Sequence, residues 1–73
     1  MNLKQLQFVA HVADTQSFSR AAELSFVTQP TLSNGISQLE DELGGRLFKR
    51  TTRMVELTAF GEFMLPRIRE MLQ

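Results

Sequence analysis

The feature that most constrains this chain is the run Ala21-Ala22-Glu23-Leu24-Ser25-Phe26-Val27-Thr28-Gln29-Pro30-Thr31-Leu32-Ser33, where one helix breaks off and another begins within a few residues. The new helix carries three start signals. Thr28 is an N-cap, because its hydroxyl accepts from a free backbone N–H of the first turn. Pro30 lies inside that turn, where a missing N–H costs nothing. Val27 precedes the cap and Leu32 is the fourth helical residue, the pairing of a hydrophobic staple that sets the angle at which the chain enters the helix. The small pair Ala21-Ala22 lets a neighbouring helix come close. Two helices joined by so tight a corner, the second polar on its outer face, read as a helix-turn-helix.

Periodicity extends the pattern to both sides. Leu6, Val9, Ala10 and Ala13 recur at helical spacing, so 3–13 reads as a first helix, and Phe8 and Val12 add a second apolar stripe. Covered on two sides, that helix belongs at the centre of a bundle. Ser17 caps a second helix with Phe18, Ala21, Ala22 and Leu24 on its inner face. The third runs over 29–43, with Leu32, Ile36, Leu39 and Leu43 as its inner stripe, and Gly44-Gly45 stops it. From 46 to 57 the period changes. Leu47-Phe48 and Met54-Val55-Glu56-Leu57 are short and partly β-branched, and Lys49-Arg50-Thr51-Thr52-Arg53 separates them, which predicts a two-stranded hairpin with a basic, hydroxyl-rich tip. Thr58 caps a last helix with a Leu65, Ile68, Leu72 seam, further apolar surface from Phe60, Phe63, Met64 and Met71, and a bend expected at Pro66. The expected fold is all-α with a small β-hairpin: a winged helix-turn-helix domain over 1–58 (helix-turn-helix about 18–37, wing about 46–57), then a further helix over 59–73.

Composition narrows what such a domain does. At 73 residues there is one domain with one modest core. The absence of cysteine removes disulfides and thiolate metal sites. No apolar run approaches the roughly 20 residues of a membrane span. The first helix mixes Lys4, Gln5 and Gln7 with its apolar residues, unlike a signal peptide. A cytoplasmic protein without membrane contact is expected. His11, with Asp14 one turn away, has no nucleophile or metal partners in view, so no enzyme, metal or cofactor is expected and His11 reads as a helix-surface residue. Lys+Arg and Asp+Glu are 8 each, for a formal net charge of zero. The distribution is uneven: Arg46, Lys49, Arg50 and Arg53 fall together without an intervening acid. Glu40, Asp41 and Glu42 precede them and are expected to solvate the end of the third helix and repel phosphate from that side.

The outer face of the third helix holds Pro30, Asn34, Ser37 and Asp41, flanked by Thr31, Ser33 and Gln38. Gln29, Thr31, Ser33 and Asn34 suit hydrogen bonds to base edges in a major groove, Pro30 offers apolar contact, and the free N–H groups at Thr28 and beyond attract a phosphate. The plain alternative is a solvated helix face; the position just after a helix-turn-helix corner favours recognition. Lys49, Arg50 and Arg53 suit phosphates or a narrow minor groove, the alternative being a soluble turn. Ser17 and Ser19 suit a backbone phosphate or simple capping, and both readings stay open. The apolar residues of the last helix exceed one face, which points to a partner helix. Double-stranded DNA is the expected partner. A winged helix that binds only proteins is the alternative suggested by the zero net charge.

Several segments also resemble a known family. They are Phe18-Ser19-Arg20-Ala21-Ala22-Glu23-Leu24, Val27-Thr28-Gln29-Pro30-Thr31-Leu32-Ser33, Ile36-Ser37-Gln38-Leu39-Glu40, Leu43-Gly44 with Leu47-Phe48-Lys49-Arg50, and Leu57-Thr58 with Gly61. In register over nearly the whole chain, this set resembles the N-terminal DNA-binding domain of LysR-type transcriptional regulators. The resemblance implies a bacterial regulator that binds interrupted palindromes as a dimer or tetramer. It implies base contacts from Gln29, Pro30, Thr31 and Ser33 and a wing contact from Arg53. It makes 59–73 the start of a linker helix that dimerises through Phe60, Phe63, Met64, Leu65, Ile68 and Leu72. In the family an effector domain follows this helix, so the chain is expected to be a DNA-binding fragment without it. Asn34 and Gly35 depart from the family, where an arginine or other long side chain is frequent. Asn34 is expected to read adenine in place of guanine. Gly35 is expected either to bring the backbone close to DNA or to be simply tolerated.

Overall fold

A computed structural model describes residues 1–49 and 54–73. It contains four helices: α1 (Leu3–Thr15), α2 (Phe18–Leu24), α3 (Gln29–Leu43) and α4 (Ala59–Met71). α1 starts on a capping box. Asn2 Oδ1 accepts from Gln5 N at 2.8 Å, and Gln5 Oε1 accepts from Asn2 N at 3.1 Å. α1 touches each of the other three helices, as its two apolar stripes require. Val9 and Val12 are almost fully enclosed, with Leu6, Phe8 and Ala10 beside them.

Ser17, Thr28 and Thr58 each cap the helix expected of them, accepting from Arg20 N, Thr31 N and Gly61 N. Leu32, Ile36 and Leu39 of α3 are sealed in the core with Ala21 and Ala22 of α2, and Gly44 ends α3 in the left-handed region (φ 84°). Leu24 does not join them. At 48% exposure it lies on the outside of α2, because a helix of seven residues presents only Ala21 and Ala22 fully inward.

The α2–α3 corner is a Schellman turn. Val27 N donates to Ala22 O at 3.1 Å and Phe26 N to Glu23 O at 3.1 Å. The left-handed position of that turn, normally a glycine, is occupied by Phe26 (φ 58°), whose side chain is 94% exposed.

After α3, Leu47 and Phe48 are buried, and Phe48 meets Phe18 edge-on with ring centroids 5.8 Å apart. The expected hairpin reduces, among the described residues, to an antiparallel bridge between Phe48 and Leu57, with Lys49 N donating to Glu56 O at 2.8 Å. No strand is present among those residues, and the tip at 50–53, with Arg50 and Arg53, lies outside them.

Two elements clamp the base of this bridge. Glu40, expected on the surface, is 3% exposed, and its Oε2 accepts from Leu47 N at 2.7 Å and Phe48 N at 3.4 Å. The two buried N–H groups needed an acceptor, and this carboxylate supplies it. From the other side, Thr58 N donates to Leu47 O at 3.0 Å and the Thr58 hydroxyl donates to Arg46 O. Gly61 is required here: a Cβ on it would stand 2.1 Å from Leu47 O.

α4 runs through Pro66 and ties back to α1 through Arg69 Nη2 and Asp14 Oδ1 at 2.7 Å. No described helix is long and apolar enough to cross a membrane.

Candidate nucleic-acid interface

The side chains singled out on α2 and α3 form one surface. Ser19, Thr28, Gln29, Pro30, Thr31 and Asn34 are exposed, and Ser33 and Ser37 are half-buried at its edge. Between Gln29 and Gln38 the helix carries no charged residue. Hydrogen bonds within the protein already orient part of the set. The Ser19 hydroxyl donates to Gln29 Oε1 at 3.0 Å, joining the first turns of α2 and α3 and leaving the Gln29 amino group outward. The Thr28 hydroxyl accepts from Thr31 N at 3.3 Å and donates to Thr31 Oγ1 at 3.0 Å, so the Thr31 hydroxyl proton is free to point away. Ser17 is engaged as the α2 cap through Arg20 N at 3.1 Å. Groups held in this way lose less freedom when they meet a ligand.

Lys49, at the base of the bridge, is half-exposed, with its ammonium 3.5 Å from Glu56 Oε2. Arg46 turns instead toward buried Glu40 at 3.5 Å. Gly35 is half-buried where α1 crosses α3. A Cβ there would stand 2.9 Å from Phe8 Cε2, so its missing side chain lets α1 pack on α3. Asn34, its neighbour, is exposed. His11 is half-buried on α1, and no group of three or more His, Cys, Asp or Glu able to hold a metal occurs among the described residues.

The apolar surface of α4 is smaller than its composition suggests. Ile68 is fully buried in the core of the single chain and is not available to a partner. Phe60, Met64, Leu65 and Leu72 are half-buried against the same core. Phe63 (55%) and Met71 (46%) remain exposed, and the Arg67 guanidinium lies 3.7 Å over the Phe63 ring. Part of the apolar surface of α4 is used within the chain, where Gly61 packs against Leu47 at the base of the bridge.

Sequence reasoning passed over Gln5 and Glu40. The spacing Asn2-x-x-Gln5 was a readable capping-box signal. Nothing local distinguishes Glu40 from Asp41 and Glu42, since its partners lie seven and eight residues on.

Comparison with known proteins agrees with this geometry. Residues 3–62 match the family described as bacterial regulatory helix-turn-helix protein, lysR family. The transcriptional regulator IlvR of Caulobacter vibrioides is 50% identical over 72 residues, 99% of this chain and 24% of that protein. The transcriptional dual regulator OxyR of Escherichia coli is 41% identical over 73 residues, 100% of this chain and 24% of that protein. The chain thus spans about a quarter of the length of these curated relatives. Vibrio fischeri DarR, solved in complex with DNA, superposes with a TM-score of 0.95 at 36% identity, over 99% of this chain and 25% of that one. The BenM DNA-binding domain in complex with benA site 1 DNA superposes with a TM-score of 0.93 at 38% identity, over 99% and 81% of the two chains.

Proposed function

The chain belongs to the lysR family of bacterial regulatory helix-turn-helix proteins, and from that premise we propose that it binds double-stranded DNA sequence-specifically as part of a transcriptional regulator. The first turns of α3 enter the major groove. Gln29, Pro30, Thr31, Ser33 and Asn34 meet base edges, with Ser37 at their edge, and Thr28, Ser17 and Ser19 lie toward the flanking phosphates. The segment 46–57 acts as the wing, with Lys49, Arg50 and Arg53 on phosphate or minor groove. Residues 1–58 form the DNA-binding unit, and α4 begins the helix through which two copies pair around an interrupted palindrome. Its exposed contribution to that pairing is Phe63 and Met71, with the outer parts of Phe60, Met64, Leu65 and Leu72.

The observation that carries this reading is the uncharged, hydrogen-bond-rich start of α3, exposed and pre-oriented by Ser19 and Thr28. The DNA complexes of DarR and BenM support it over a wing that binds only proteins. A selection from random duplexes with the purified chain tests it. An enriched motif with two-fold symmetry is expected. Recovery of unrelated sequences, with no salt dependence of binding, refutes it.

A further inference from the structure

We propose that the groove between the first turn of α1 and α3 is a second seat for a DNA backbone phosphate, on the side of α3 opposite the wing. The inference rests on the DNA-binding reading above and adds a site to it.

The groove is lined by Lys4, Gln5, Asn34 and Gln38, with Phe8 and the bare backbone of Gly35 on its floor. Its volume of ≈ 330 Å³ leaves room for a phosphodiester group. Its hydrogen-bonding polarity is fixed by the backbone, one link at a time. Gln5 N donates to Asn2 Oδ1, so the Asn2 amino group faces away from the helix. Asn2 N donates to Gln5 Oε1, so the other end of the Gln5 amide is its amino group. That amino group donates to Gln38 Oε1 at 3.2 Å. Both Gln38 amino protons are therefore left for the groove. Every carbonyl oxygen of the three amides is occupied by a donor. The amino groups of Asn2 and Gln38 are thus turned out beside the Lys4 ammonium, with the Asn34 amide and the Thr31 hydroxyl completing the lining.

A wall rich in donors, with one cation, suits an acceptor-rich anion such as a phosphodiester. Lys4 makes no ion pair with the described residues, unlike Arg20, Arg46, Lys49 and Arg69. Glu42, one turn beyond Gln38 on α3, is paired with the Met1 ammonium. The placement fits a duplex. Glu40 holds the wing base on one side of α3, while Gly35 and Gln38 meet α1 on the other. A helix lying in a major groove has a phosphate strand on each side. The wing faces one strand and Lys4 with Gln38 faces the other, which fixes how deep α3 sits.

The test uses the full chain and the duplex recovered by selection, with Kd measured by fluorescence anisotropy over a salt series. Lys4→Ala is expected to weaken binding to every base variant alike and to reduce the salt slope by about 0.9. Gln38→Glu keeps an acceptor for the Gln5 amino group, so the fold is retained, but replaces outward donors by a carboxylate. Its affinity is expected to fall by about tenfold or more, with thermal stability unchanged. Unchanged Kd and slope for Lys4→Ala, or wild-type affinity for Gln38→Glu, overturns the site while leaving the DNA-binding reading intact. Absence of any duplex binding by the wild-type chain overturns both.

Discussion

Glu40 offers the sharpest test of how the fold holds its wing. The carboxylate is buried. Its strongest bond, to Leu47 N at 2.7 Å, is short and charge-assisted, whereas the Phe48 N contact at 3.4 Å is long and the Arg46 partner is 65% exposed. Most of the energy therefore lies in backbone N–H groups that have no water to turn to. Glu40→Gln keeps one carbonyl for Leu47 N, but sets an amino group against a second donor and the Arg46 guanidinium. That costs about 1–2 kcal/mol. Glu40→Ala removes both acceptors and costs about 3–5 kcal/mol. Arg46→Ala costs less than about 1 kcal/mol, because its charge is mostly solvated. A domain of this length has roughly 4–11 kcal/mol in total. With about 4–8 °C per kcal/mol at this size, Glu40→Gln lowers Tm by roughly 5–15 °C and Glu40→Ala by roughly 12–40 °C. Thermal unfolding followed by circular dichroism at 222 nm reads all three. If Glu40→Gln melts within about 2 °C of wild type, or Arg46→Ala costs more than Glu40→Gln, the carboxylate is not what holds the wing base.

Three further outcomes are expected. Phe26→Gly raises stability by about 0.5 kcal/mol, because relief of left-handed strain exceeds the entropy glycine adds to the unfolded chain, and the exposed ring loses no packing; a urea titration measures it. Gly35→Ala lowers stability by about 0.5–2 kcal/mol despite alanine's higher helix propensity, because its Cβ meets Phe8, itself only 4% exposed; the same titration shows a gain if that contact relaxes freely. Phe63→Asp shifts the chain toward monomer in sedimentation velocity without unfolding it, whereas Ile68→Asp unfolds it; equal behaviour of the two would contradict the division of α4 into core and exposed residues.

The helices and their caps were legible because their causes are local. Thr28, Pro30 and Gly44 act within one turn of themselves, and Leu32, Ile36 and Leu39 repeat at the helical period. Features made by distant partners were not legible. Glu40 looks like its acidic neighbours until Leu47 folds beneath it. Gly35 looks like a helix defect until Phe8 crosses it. Ile68 sits in an apolar seam like Leu65 and Leu72, and only the packing of α4 on α1 shows that it belongs wholly to the core. Of the proposed interface, the exposure of Gln29, Pro30, Thr31 and Asn34 follows from helical phase alone. The orientation of Gln29 and Gln38 depends on Ser19 and Gln5, ten and 33 residues away.

The zero net charge, awkward for a partner of DNA, also has a structural account. The acids are largely held away from the start of α3. Asp14 pairs with Arg69, Glu23 with Arg20, Glu40 with Arg46, Glu42 with the Met1 ammonium and Glu56 with Lys49. Asp41 stands at the far end of the helix from Thr28. The surface proposed to meet a duplex is then neutral at its centre, with Lys4 at one margin; Lys49 stands at the base of the bridge, and Arg50 and Arg53 lie outside the described residues. Affinity must come mostly from uncharged hydrogen bonds, which release no counterions. With four cations at most on phosphate, the slope of log K against log salt is no steeper than about −3.6 per chain, and shallower still if Lys49 stays on Glu56. A steeper slope, measured with the selected duplex and corrected for the number of chains bound, would mean that arginines placed elsewhere here reach the DNA.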